Sequence, residues 1–254
     1  MRTSLIMTTY NRPRVMALAL NSIATQSVLP DEVIVADDGS TRSTAATVKK
    51  IAKSFPVPLH HVWQEDNGFR AARVRNLGAA KAEGDMLIFI DGDMLLHKDF
   101  VKAHLGHASR GTFLHGPRVM LSSKLTKQVL DEGSIPHVGF FNVNVPMSHK
   151  FNTINIPWLS HLFSRETTRV RSRACNLSLM KQDYIAVNGF NEDFVGWGEE
   201  DSEFAWRLME FGLKKVNIGC GAVQYHLDHN HHNEKANVPN ISKNHELFEE
   251  VREK

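Results

Sequence analysis

The chain has few of the features that mark secreted, membrane-spanning or nucleic-acid-binding proteins. Its two cysteines, Cys175 and Cys220, provide neither a disulfide framework nor the spacing of a zinc site, so a reducing compartment is expected. No apolar run approaches the length of a transmembrane helix, and Leu5–Met7 is far too short for the core of a signal peptide. The net charge of +2 does not indicate nucleic acid as a partner. We therefore expect a soluble cytoplasmic protein.

Two common nucleotide-binding fingerprints are also missing. The first predicted strand is not followed by Gly-x-Gly-x-x-Gly, which argues against a dinucleotide dehydrogenase. No Gly-Lys-Ser/Thr loop marks a P-loop NTPase. Without a P-loop lysine, a bound metal ion becomes the more natural counter-charge for phosphate groups.

The first third of the chain alternates predicted strands and helices. Strands are predicted at residues 4–8, 32–36, 59–63 and 86–90, and helices at residues 44–54, 71–82 and from Pro13 onward. This β-α-β-α order predicts a parallel sheet with right-handed crossovers. Later strands are predicted within 111–121 and at 176–180 and 223–226, and a helix begins near Phe204.

The strand at residues 86–90 ends in Asp91-Gly92-Asp93, two carboxylates separated by one glycine. At the carboxyl end of a buried parallel strand, this turn opens into the crevice in which α/β sheets bind ligands. Paired oxygen donors suit Mn²⁺ or Mg²⁺, and the glycine permits close approach of a diphosphate. The alternative is an ordinary polar turn after a strand.

Two other polar segments follow predicted strands in the same way. Thr8–Asn11 comes after the first strand, and Asp37-Asp38 comes after the second. Because parallel strands place these ends along one edge, we expect the three loops to converge on one pocket. There Asp38 can accept hydrogen bonds from a base or a ribose, and Tyr10 can stack on a ring. The same residues also suit helix caps and turns, and both roles can hold together.

Basic residues are concentrated in two stretches. Residues 67–76 contain Arg70, Arg73 and Arg75, which either pair with phosphates or form a solvated face. Residues 137–173 combine aromatic side chains with several arginines. This second stretch is interpreted as a mobile loop over the site, as a basic surface that contacts a membrane or an anionic acceptor, or, preferentially, as ordinary packing with solvated arginines.

Acidic residues cluster where a C-terminal helix is predicted to begin. Four carboxylates occupy five positions, at Glu199, Glu200, Asp201 and Glu203. The helix dipole favours acidic residues in a first turn, but so many in contact repel one another unless a ligand or metal offsets the charge. The glycines that flank Trp197 leave its ring on a close-approach turn, which suits stacking on a sugar.

Four histidines, at positions 226, 229, 231 and 232, follow the last predicted strand. A neutral imidazole that returns to Asp93 would complete a site with oxygen and nitrogen ligands, as Mn²⁺ prefers. His226 is the preferred candidate because it lies at the strand end, and His229 is the reserve. A solvated tail is the alternative.

These segments together resemble a known family. Thr8-Thr9-Tyr10-Asn11, Asp37-Asp38-Gly39-Ser40, Arg75-Asn76 followed by Gly78, and the DXD motif Asp91-Gly92-Asp93 resemble the donor half of inverting family 2 glycosyltransferases. Asn188-Gly189-Phe190 and the segment Gly196–Asp201 resemble the acceptor side of β-1,4-galactosyltransferases and bacterial chondroitin polymerases. The resemblance implies an α/β, GT-A (Rossmann-like nucleotide-diphospho-sugar transferase) fold, with a mostly parallel central sheet flanked by helices.

The resemblance also implies an organisation and an activity. One GT-A domain spans residues 1–254, with a nucleotide-sugar-binding half at 1–110, an acceptor-binding half at 111–230 and a C-terminal tail or helix at 231–254. The implied reaction is non-processive, metal-dependent transfer of Gal, GalNAc, GlcNAc or a similar sugar from a UDP-sugar. The acceptor is a glycan or a lipid-linked saccharide in polysaccharide biosynthesis, at the cytoplasmic face of the membrane with peripheral contact. Nucleic acid is not an expected partner.

The resemblance further implies roles for individual residues. Asp38 lies near the uracil, Asp91 lies near the ribose or sugar, and Asp93 with His226 coordinates Mn²⁺ or Mg²⁺. Asp201 is the catalytic base, and Trp197, Gly198, Glu200 and Asp201 contact the acceptor. The remaining donor contacts are expected from Thr8, Tyr10, Asn11, Arg12, Phe69, Arg70, Arg73, Asn76 and Gly92. Glu199 replaces a glycine common in the galactosyltransferases, which leaves the acceptor specificity open.

Two other functions compete with glycosyl transfer. A sugar-phosphate nucleotidylyltransferase shares this fold type and its metal-binding aspartates, although Thr8–Arg12 does not resemble the glycine-rich loop of those enzymes. A non-catalytic carbohydrate-binding or scaffold subunit is the alternative from a different class. The crowded carboxylates argue against it, because unpaired charges near a pocket are destabilising without a use.

Overall fold

A computed structural model describes residues 1–133, 138–139, 142, 145–228 and 241–253, which form an α/β fold. The strands are β1 (Thr3–Thr9), β2 (Glu32–Asp37), β3 (Leu59–Trp63), β4 (Met86–Asp91), β5 (Met94–Leu96), β6 (Thr112–His115), β7 (Arg118–Met120), β8 (Arg165–Thr167), β9 (Asn176–Met180), β10 (Lys214–Asn217) and β11 (Gln224–His226). The helices are α1 (Pro13–Ala24), α2 (Arg42–Ala52), α3 (Ala71–Lys81), α4 (Phe100–His107), α5 (Ser123–Glu132), α6 (Ser160–Phe163), α7 (Lys181–Ala186), α8 (Glu200–Glu210) and α9 (Ile241–Glu253), and a 3₁₀ helix spans Met147–Thr153.

An eight-stranded sheet runs through the fold in the order β3-β2-β1-β4-β9-β6-β10-β8. Strands β1 to β4 are mutually parallel, and β6 is parallel to β10. Strand β9 is antiparallel to both β4 and β6, and β8 is antiparallel to β10. The sheet is therefore mostly parallel and flanked by helices, as predicted. Its register places Thr8 opposite Asp91 and Thr9 opposite Asp37, so the ends of three strands lie together.

The central strands are buried on both faces because both faces are apolar. Leu5 and Met7 of β1 belong to one cluster of buried side chains, and Ile6 belongs to another. Alternation along a strand sends successive side chains to opposite faces, which explains this division. Each cluster also includes residues from beyond position 111, such as Leu114 in the first and Phe204 in the second. The two halves of the chain thus share one core.

A second, three-stranded sheet has the order β5-β11-β7 and was not predicted. Strand β11 matches the strand predicted at residues 223–226, and β7 lies within the stretch predicted at 111–121. Each strand of this sheet has only three residues, however, and no local signal specifies how such short strands pair. Strand β11 is antiparallel to β5, with His226 opposite Met94. This pairing places His226, which lies late in the chain, beside Met94, the residue that follows Asp93.

Most predicted elements of the first third are confirmed, and the later region is more segmented than expected. One strand was predicted within residues 111–121, but the structure has β6 and β7 separated by Gly116-Pro117. Proline lacks an N–H group for the ladder, and a Cβ at position 116 would lie 2.4 Å from the Asn176 amide. The helices α4 and α5 and the strands β8 and β10 were also missed.

The basic, aromatic stretch does not show the ordinary packing that was preferred from its sequence. Met147, Phe151 and Trp158 are 75%, 73% and 80% exposed. Short elements, the 3₁₀ helix, α6 and β8, occupy the described residues 145–173. His137, Phe140 and Phe141 lie outside the described residues. Within the described part of the chain, no helix is both long and apolar enough to cross a membrane.

Candidate active site

Three loops meet at the carboxyl edge of β1, β2 and β4. The Thr8 hydroxyl donates to Asp91 Oδ1 at 3.0 Å, and the Asp38 N–H donates to the Thr9 carbonyl at 2.9 Å. The parallel ladders bring these residues together although they lie far apart in sequence. The loops that were expected to converge at one edge of the sheet therefore do so.

Asp38 is buried and held by the loop that follows β3. Its Oδ2 accepts from the Arg70 N–H at 2.9 Å, and its Oδ1 accepts from the Gln64 side chain. Burial raises the pKa of Asp38, against the lowering by these two hydrogen bonds. Each carboxylate oxygen retains a lone pair for a further donor, such as a base N–H. Gln64 was not predicted as a site residue.

The residues just before α1 form hydrogen bonds between the loops and also lie at the edge of the candidate site. The Asn11 N–H donates to the Ser40 hydroxyl at 2.8 Å, and Asn11 Oδ1 accepts from the Thr41 N–H at 2.9 Å. Asn11 thus fastens two of the three loops together. The exposed Tyr10 ring is steadied by its hydroxyl, which donates to Asp66 at 3.0 Å, and Arg12 precedes α1 at the same edge.

Gly92 is required by its neighbour within the fold. A Cβ at this position would lie 2.5 Å from the Thr8 carbonyl oxygen, so any larger residue would displace β1 or the turn. From the sequence, this glycine was expected to permit the close approach of a diphosphate. The structure supplies a second reason for it, namely the close backbone packing of β1 against the turn between the two aspartates.

Asp93 and His226 meet beside the second sheet. His226 Nε2 lies 3.4 Å from Asp93 Oδ2, and both side chains are largely buried. The antiparallel pairing of β5 with β11 produces this meeting, because it continues until the Leu227 N–H donates to the Asp93 carbonyl at 3.2 Å. His229, the reserve candidate, lies outside the described residues.

A carboxylate oxygen and an imidazole nitrogen are a fitting donor pair for Mn²⁺. Across the described residues, no group of three His, Cys, Asp or Glu side chains is arranged to hold a metal ion. A divalent ion at Asp93 and His226 would therefore take its other ligands from substrate phosphates and water, as Mg²⁺ and Mn²⁺ sites in phosphate-binding enzymes commonly do. The site fits a metal that arrives with a diphosphate.

Arg75 is the centre of an ion-pair cluster that joins the two halves of the chain. Its guanidinium lies 3.1 Å from Asp91 Oδ1, 3.3 Å from Glu200 Oε1 and 3.2 Å from Asp201 Oδ1. It also lies over the Phe190 ring, 5.4 Å from the centroid. The arginine is buried because α3 presents it on the same face as Ala71, Ala72 and Gly78. One cation thus orients three carboxylates.

The electrostatics of this cluster favour one shared proton. The pKa of Glu200 is raised to about 7, first by burial and then by the Asp201 charge, against the opposing effect of Arg75. Burial also raises the pKa of Asp201, against lowering by Arg75 and by a hydrogen bond from the Ala174 backbone. Burial alone would lower the pKa of Arg75, but the three carboxylate charges raise it. Glu200 and Asp201 therefore titrate as a pair, which suits proton transfer near neutral pH.

Asn76 fixes the turn that leads to the acidic cluster. Its Nδ2 donates to the Phe190 carbonyl at 2.9 Å and to Glu192 at 2.8 Å. Its Oδ1 accepts from the Phe190 N–H at 2.9 Å and from the Tyr184 hydroxyl. These four bonds use the full capacity of a primary amide. The geometry therefore favours a positioning role for Asn76 over the donor contact predicted from the sequence.

The other two predicted arginines of α3 and its preceding loop differ in placement. Arg73 is exposed on the outer face of the helix and lies 3.9 Å from Glu192. Arg70 contributes its backbone N–H to Asp38, and its guanidinium donates to the Glu65 carbonyl. The structure thus places Arg73 away from the cluster, so a phosphate contact from it has no geometric support here.

The segment before α8 is a glycine turn that leaves Trp197 exposed. Gly196 and Gly198 have φ angles of 89° and 106°, a backbone conformation that residues with a Cβ rarely adopt. The Gly196 N–H donates to the Phe69 carbonyl at 2.8 Å, which ties this turn to the donor loop. The Asn244 side chain of α9 donates to the Gly198 carbonyl at 3.1 Å. Trp197 and Phe69 are each about half exposed, so their rings are available to a ligand.

From the sequence, Arg75 was named only as a phosphate partner or a solvated arginine and Gln64 was not named, so the central roles of both residues were missed. Arg75 lies four residues after Ala71 and three before Gly78, which is the spacing of the buried face of α3. A charged residue on such a stripe requires buried partners of opposite charge, and that signal was available. Gln64 carried no comparable signal, because its role depends on the pairing of β3 with β2.

Comparisons with known proteins place the chain among glycosyltransferases. The family model described as Glycosyl transferase family 2 matches residues 4–185, and the one described as N-terminal domain of galactosyltransferase matches residues 163–232. Validoxylamine A glucosyltransferase of Streptomyces hygroscopicus subsp. limoneus is 31% identical over 232 residues, which cover 83% of this chain and 48% of that protein. Chondroitin synthase of Pasteurella multocida (strain Pm70) is 31% identical over 239 residues, which cover 88% of this chain and 24% of the synthase.

Solved structures share the fold. S. aureus TarS 1–349 in complex with UDP-GlcNAc has a TM-score of 0.63 at 21% identity and covers 90% of this chain and 59% of that chain. The mannosyltransferase PcManGT from Pyrobaculum calidifontis, in complex with GDP-Man and Mn²⁺, has a TM-score of 0.62 at 19% identity and covers 90% of this chain and 57% of that chain. The predicted GT-A fold is confirmed. The chain spans about half the length or less of the curated relatives named above.

Proposed function

The chain belongs to glycosyl transferase family 2, and we propose that it transfers a sugar from a UDP-sugar to a glycan or lipid-linked acceptor with inversion. The observation that supports this proposal most is the Arg75 cluster. It unites Asp91, at the donor edge of the sheet, with Glu200 and Asp201, at the start of α8. A donor sugar and an acceptor hydroxyl need such adjacency for direct displacement.

The donor would bind along the edge formed by β1, β2 and β4. Asp38 faces this edge with accepting capacity for a base, and the exposed ring of Tyr10 offers a stacking surface. Asp91, held by Thr8 and Arg75, would accept from a ribose or sugar hydroxyl. Asp93 and His226 would hold Mn²⁺ or Mg²⁺, and the metal supplies a positive charge that stabilises the departing diphosphate.

Asp201 is the proposed catalytic base for the acceptor hydroxyl. It lies in the first turn of α8, and two groups fix its carboxylate, Arg75 and the backbone of Ala174. A base positioned in this way takes the hydroxyl proton as the oxygen attacks the anomeric carbon, and the UDP leaves from the opposite side. Trp197 would stack on the acceptor sugar, and Gly198 and Glu200 would line the same subsite.

The donor sugar is proposed to be Gal, GalNAc, GlcNAc or a similar hexose, and the transfer to be non-processive. PcManGT has GDP-Man in its structure, and TarS 1–349 has UDP-GlcNAc, so the nucleotide itself is part of the test. The two competing functions, a nucleotidylyltransferase and a non-catalytic subunit, have no specific support in the geometry. The cytoplasmic location and peripheral membrane contact expected from the sequence stay predictions.

Titration of UDP into the purified chain, with and without Mn²⁺, tests the donor half. We expect binding that strengthens with Mn²⁺, and we expect Asp93→Ala to lose that metal dependence, because Asp93 and His226 form the only metal site proposed. Asp85→Ala, which changes an exposed carboxylate near the opposite end of β4, is the matched control. A panel of UDP-sugars, scored by UDP release, then identifies the donor. Absence of UDP binding under both conditions would refute a UDP-sugar donor and direct attention to other nucleotides.

A further inference from the structure

Arg173 lies near the proposed base, Arg118 lies near Arg173, and neither guanidinium forms an ion pair with a carboxylate among the described residues. We propose that they form a subsite for an anionic group, a phosphate or a carboxylate, on the acceptor. This inference rests on the proposed glycosyl transfer and adds the charge of its acceptor. Other arginines in the described part of the chain, such as Arg75 and Arg207, have close carboxylates.

The sheet places both residues at the catalytic edge. Strand β9 lies between β4 and β6, with Asn176 opposite Ile90, and Arg173 and Ala174 immediately precede β9. The Ala174 backbone contacts Asp201, so Arg173 adjoins the residue that fixes the base. On the other side of β9, the Gly116 N–H donates to the Asn176 carbonyl at 3.0 Å.

The position of Arg118 follows from the same network. The Asn176 side chain donates to the Pro117 carbonyl at 2.9 Å, which fixes the residue before Arg118. The Arg118 carbonyl accepts from His149 and Asn152 at 3.0 Å each, so its backbone is held on both sides. Arg118 Nε is buried and has no hydrogen-bond partner. A buried guanidinium nitrogen in this state favours an anionic ligand, because an unsatisfied charged donor is costly.

The charges that act on Arg173 indicate that Arg118 and Asp201 both lie near it. Burial lowers the pKa of Arg173, the charge of Arg118 lowers it further, and the Asp201 charge raises it. Asp201 already pairs with Arg75, so the mutual repulsion of Arg118 and Arg173 is left for an anion to offset. A bidentate anion placed between them would satisfy both.

The segment that carries Arg173 is anchored from below by a buried lysine. Lys215 Nζ donates to the Arg171 carbonyl at 2.7 Å and to the Arg169 carbonyl at 3.1 Å. These hydrogen bonds hold the carbonyls two and four residues before Arg173 and so restrict the backbone of the segment that carries it. The exposed arginines of the same stretch, such as Arg165, have no comparable placement at the catalytic edge.

The acceptor is the favoured source of the anion. The donor diphosphate already has a counter-charge in the metal proposed at Asp93 and His226, whereas Arg173 adjoins Asp201, where the acceptor hydroxyl must lie. A phosphate or carboxylate on the sugar next to that hydroxyl would reach the two guanidinium groups. The donor diphosphate is the competing source, and the experiment below separates the two.

Binding of anions to the full chain saturated with UDP and Mn²⁺ tests the proposal. The probes are sulfate, which stands in for phosphate and stays soluble with Mn²⁺, and D-glucuronate, with D-glucose as the uncharged comparison. We expect both anions to bind more tightly than D-glucose, and Arg118→Gln and Arg173→Gln each to weaken the anions about tenfold, as loss of a charged hydrogen bond does. The affinity for UDP is expected to stay unchanged. Arg165→Gln removes the same charge from an exposed position and is the matched control.

The outcomes are distinguishable from failure of the proposed function. Anion binding no tighter than that of D-glucose overturns the subsite. Weakened UDP binding in Arg118→Gln or Arg173→Gln assigns the anion to the donor diphosphate and also overturns it. If the chain does not bind UDP at all, the same anion titration without UDP still reports on the two arginines. Arg173→Lys, which keeps the charge, should retain most of the anion affinity, and thermal unfolding checks that every variant is folded.

Discussion

At the scale of single residues, the site depends on Arg75. A buried guanidinium among three carboxylates satisfies its own charge and fixes theirs, and its contacts reach 16 positions along the chain to Asp91 and 126 positions to Asp201. The cluster still contains more negative than positive charge. One of its carboxylates is therefore available to accept a proton, and a cation or a polarised hydroxyl fits beside it.

Asp201→Asn should separate binding from catalysis. The amide keeps the size of the carboxylate but cannot accept the hydroxyl proton, so we expect transfer to fall by about 10²–10⁴-fold with UDP-sugar binding retained. The measurement is UDP release under saturating acceptor, together with UDP titration. Asp193→Asn, at an exposed position of the preceding turn, should transfer normally. Near-normal transfer by Asp201→Asn would move the base to Glu200 or another group.

The paired carboxyls also predict a pH dependence. Because the folded-state pKa of Glu200 is raised from 4.5 to about 7, the pair holds a proton at acidic pH and loses it as the pH rises through that range. A general base acts when deprotonated, so kcat should rise with pH up to about 7 and then level off. In Glu200→Gln the like charge beside Asp201 is gone, and the acid limb should move to lower pH. A profile of single-turnover rates measures this, and an unshifted limb would contradict the pairing.

At the scale of secondary-structure elements, helix α3 connects the donor edge to the acceptor turn. One face of α3 buries Arg75, and the next residue, Asn76, clamps the turn at Phe190 with a fully bonded amide. A second clamp comes from α8, where Arg207 binds Glu203 at 2.5 Å and donates to the Gly189 carbonyl at 2.8 Å. The acidic cluster is therefore positioned by a turn that two helices hold.

Asn76→Ala should loosen this turn. Loss of the amide leaves the Phe190 N–H and carbonyl without their partners, which costs about 1–3 kcal/mol when such groups are buried. For a domain of this size that corresponds to a Tm decrease of about 2–4 °C per kcal/mol. Arg73→Ala, three residues earlier on the exposed face of the same helix, should change Tm little, since its pair with Glu192 is solvated. Equal decreases in the two variants would remove the clamp as the explanation.

At the scale of the whole molecule, one sheet joins the regions proposed to bind donor and acceptor. Strand β9 forms ladders with both β4 and β6, and both main clusters of buried side chains draw on the two regions. Neither region keeps a complete core if the other opens. The division of the chain at about residue 110 is thus a division of proposed roles within one folded unit.

The shared core predicts that β1 and β6 open together. Amide hydrogen exchange of the two strands should give the same free energy of opening, and UDP with Mn²⁺ should raise both equally, by about 2.7 kcal/mol at a hundredfold excess over Kd. Exchange of β6 through an opening of lower energy, unaffected by UDP, would show that the two regions unfold separately. The control strand is β8 at the sheet edge, which should exchange sooner because only one neighbour pairs with it.

The sequence by itself determined the parallel part of the sheet and the polar loops at its edge. Apolar runs such as Met86–Ile90 specify buried strands locally, and the aspartates that follow them are positioned by strand direction alone. The resemblance of these loops, and of the glycine turn around Trp197, to known glycosyltransferases was enough to anticipate the family and the fold. Asp38, Asp91 and Asp93 could therefore be named without a structure.

Only the tertiary structure decided which distant residues meet. The contacts of Arg75 with Glu200 and Asp201 join segments far apart in the chain, and so does the β5–β11 pairing that brings His226 to Asp93. Arg73 is kept away from the cluster because it lies on the exposed face of its helix. Local sequence patterns do not specify such long-range contacts, because the contacts depend on strand order and on which face of a helix is buried. The physical reason is that a buried charge is stable only beside an opposite charge, and the packing of the core decides which distant residue supplies it.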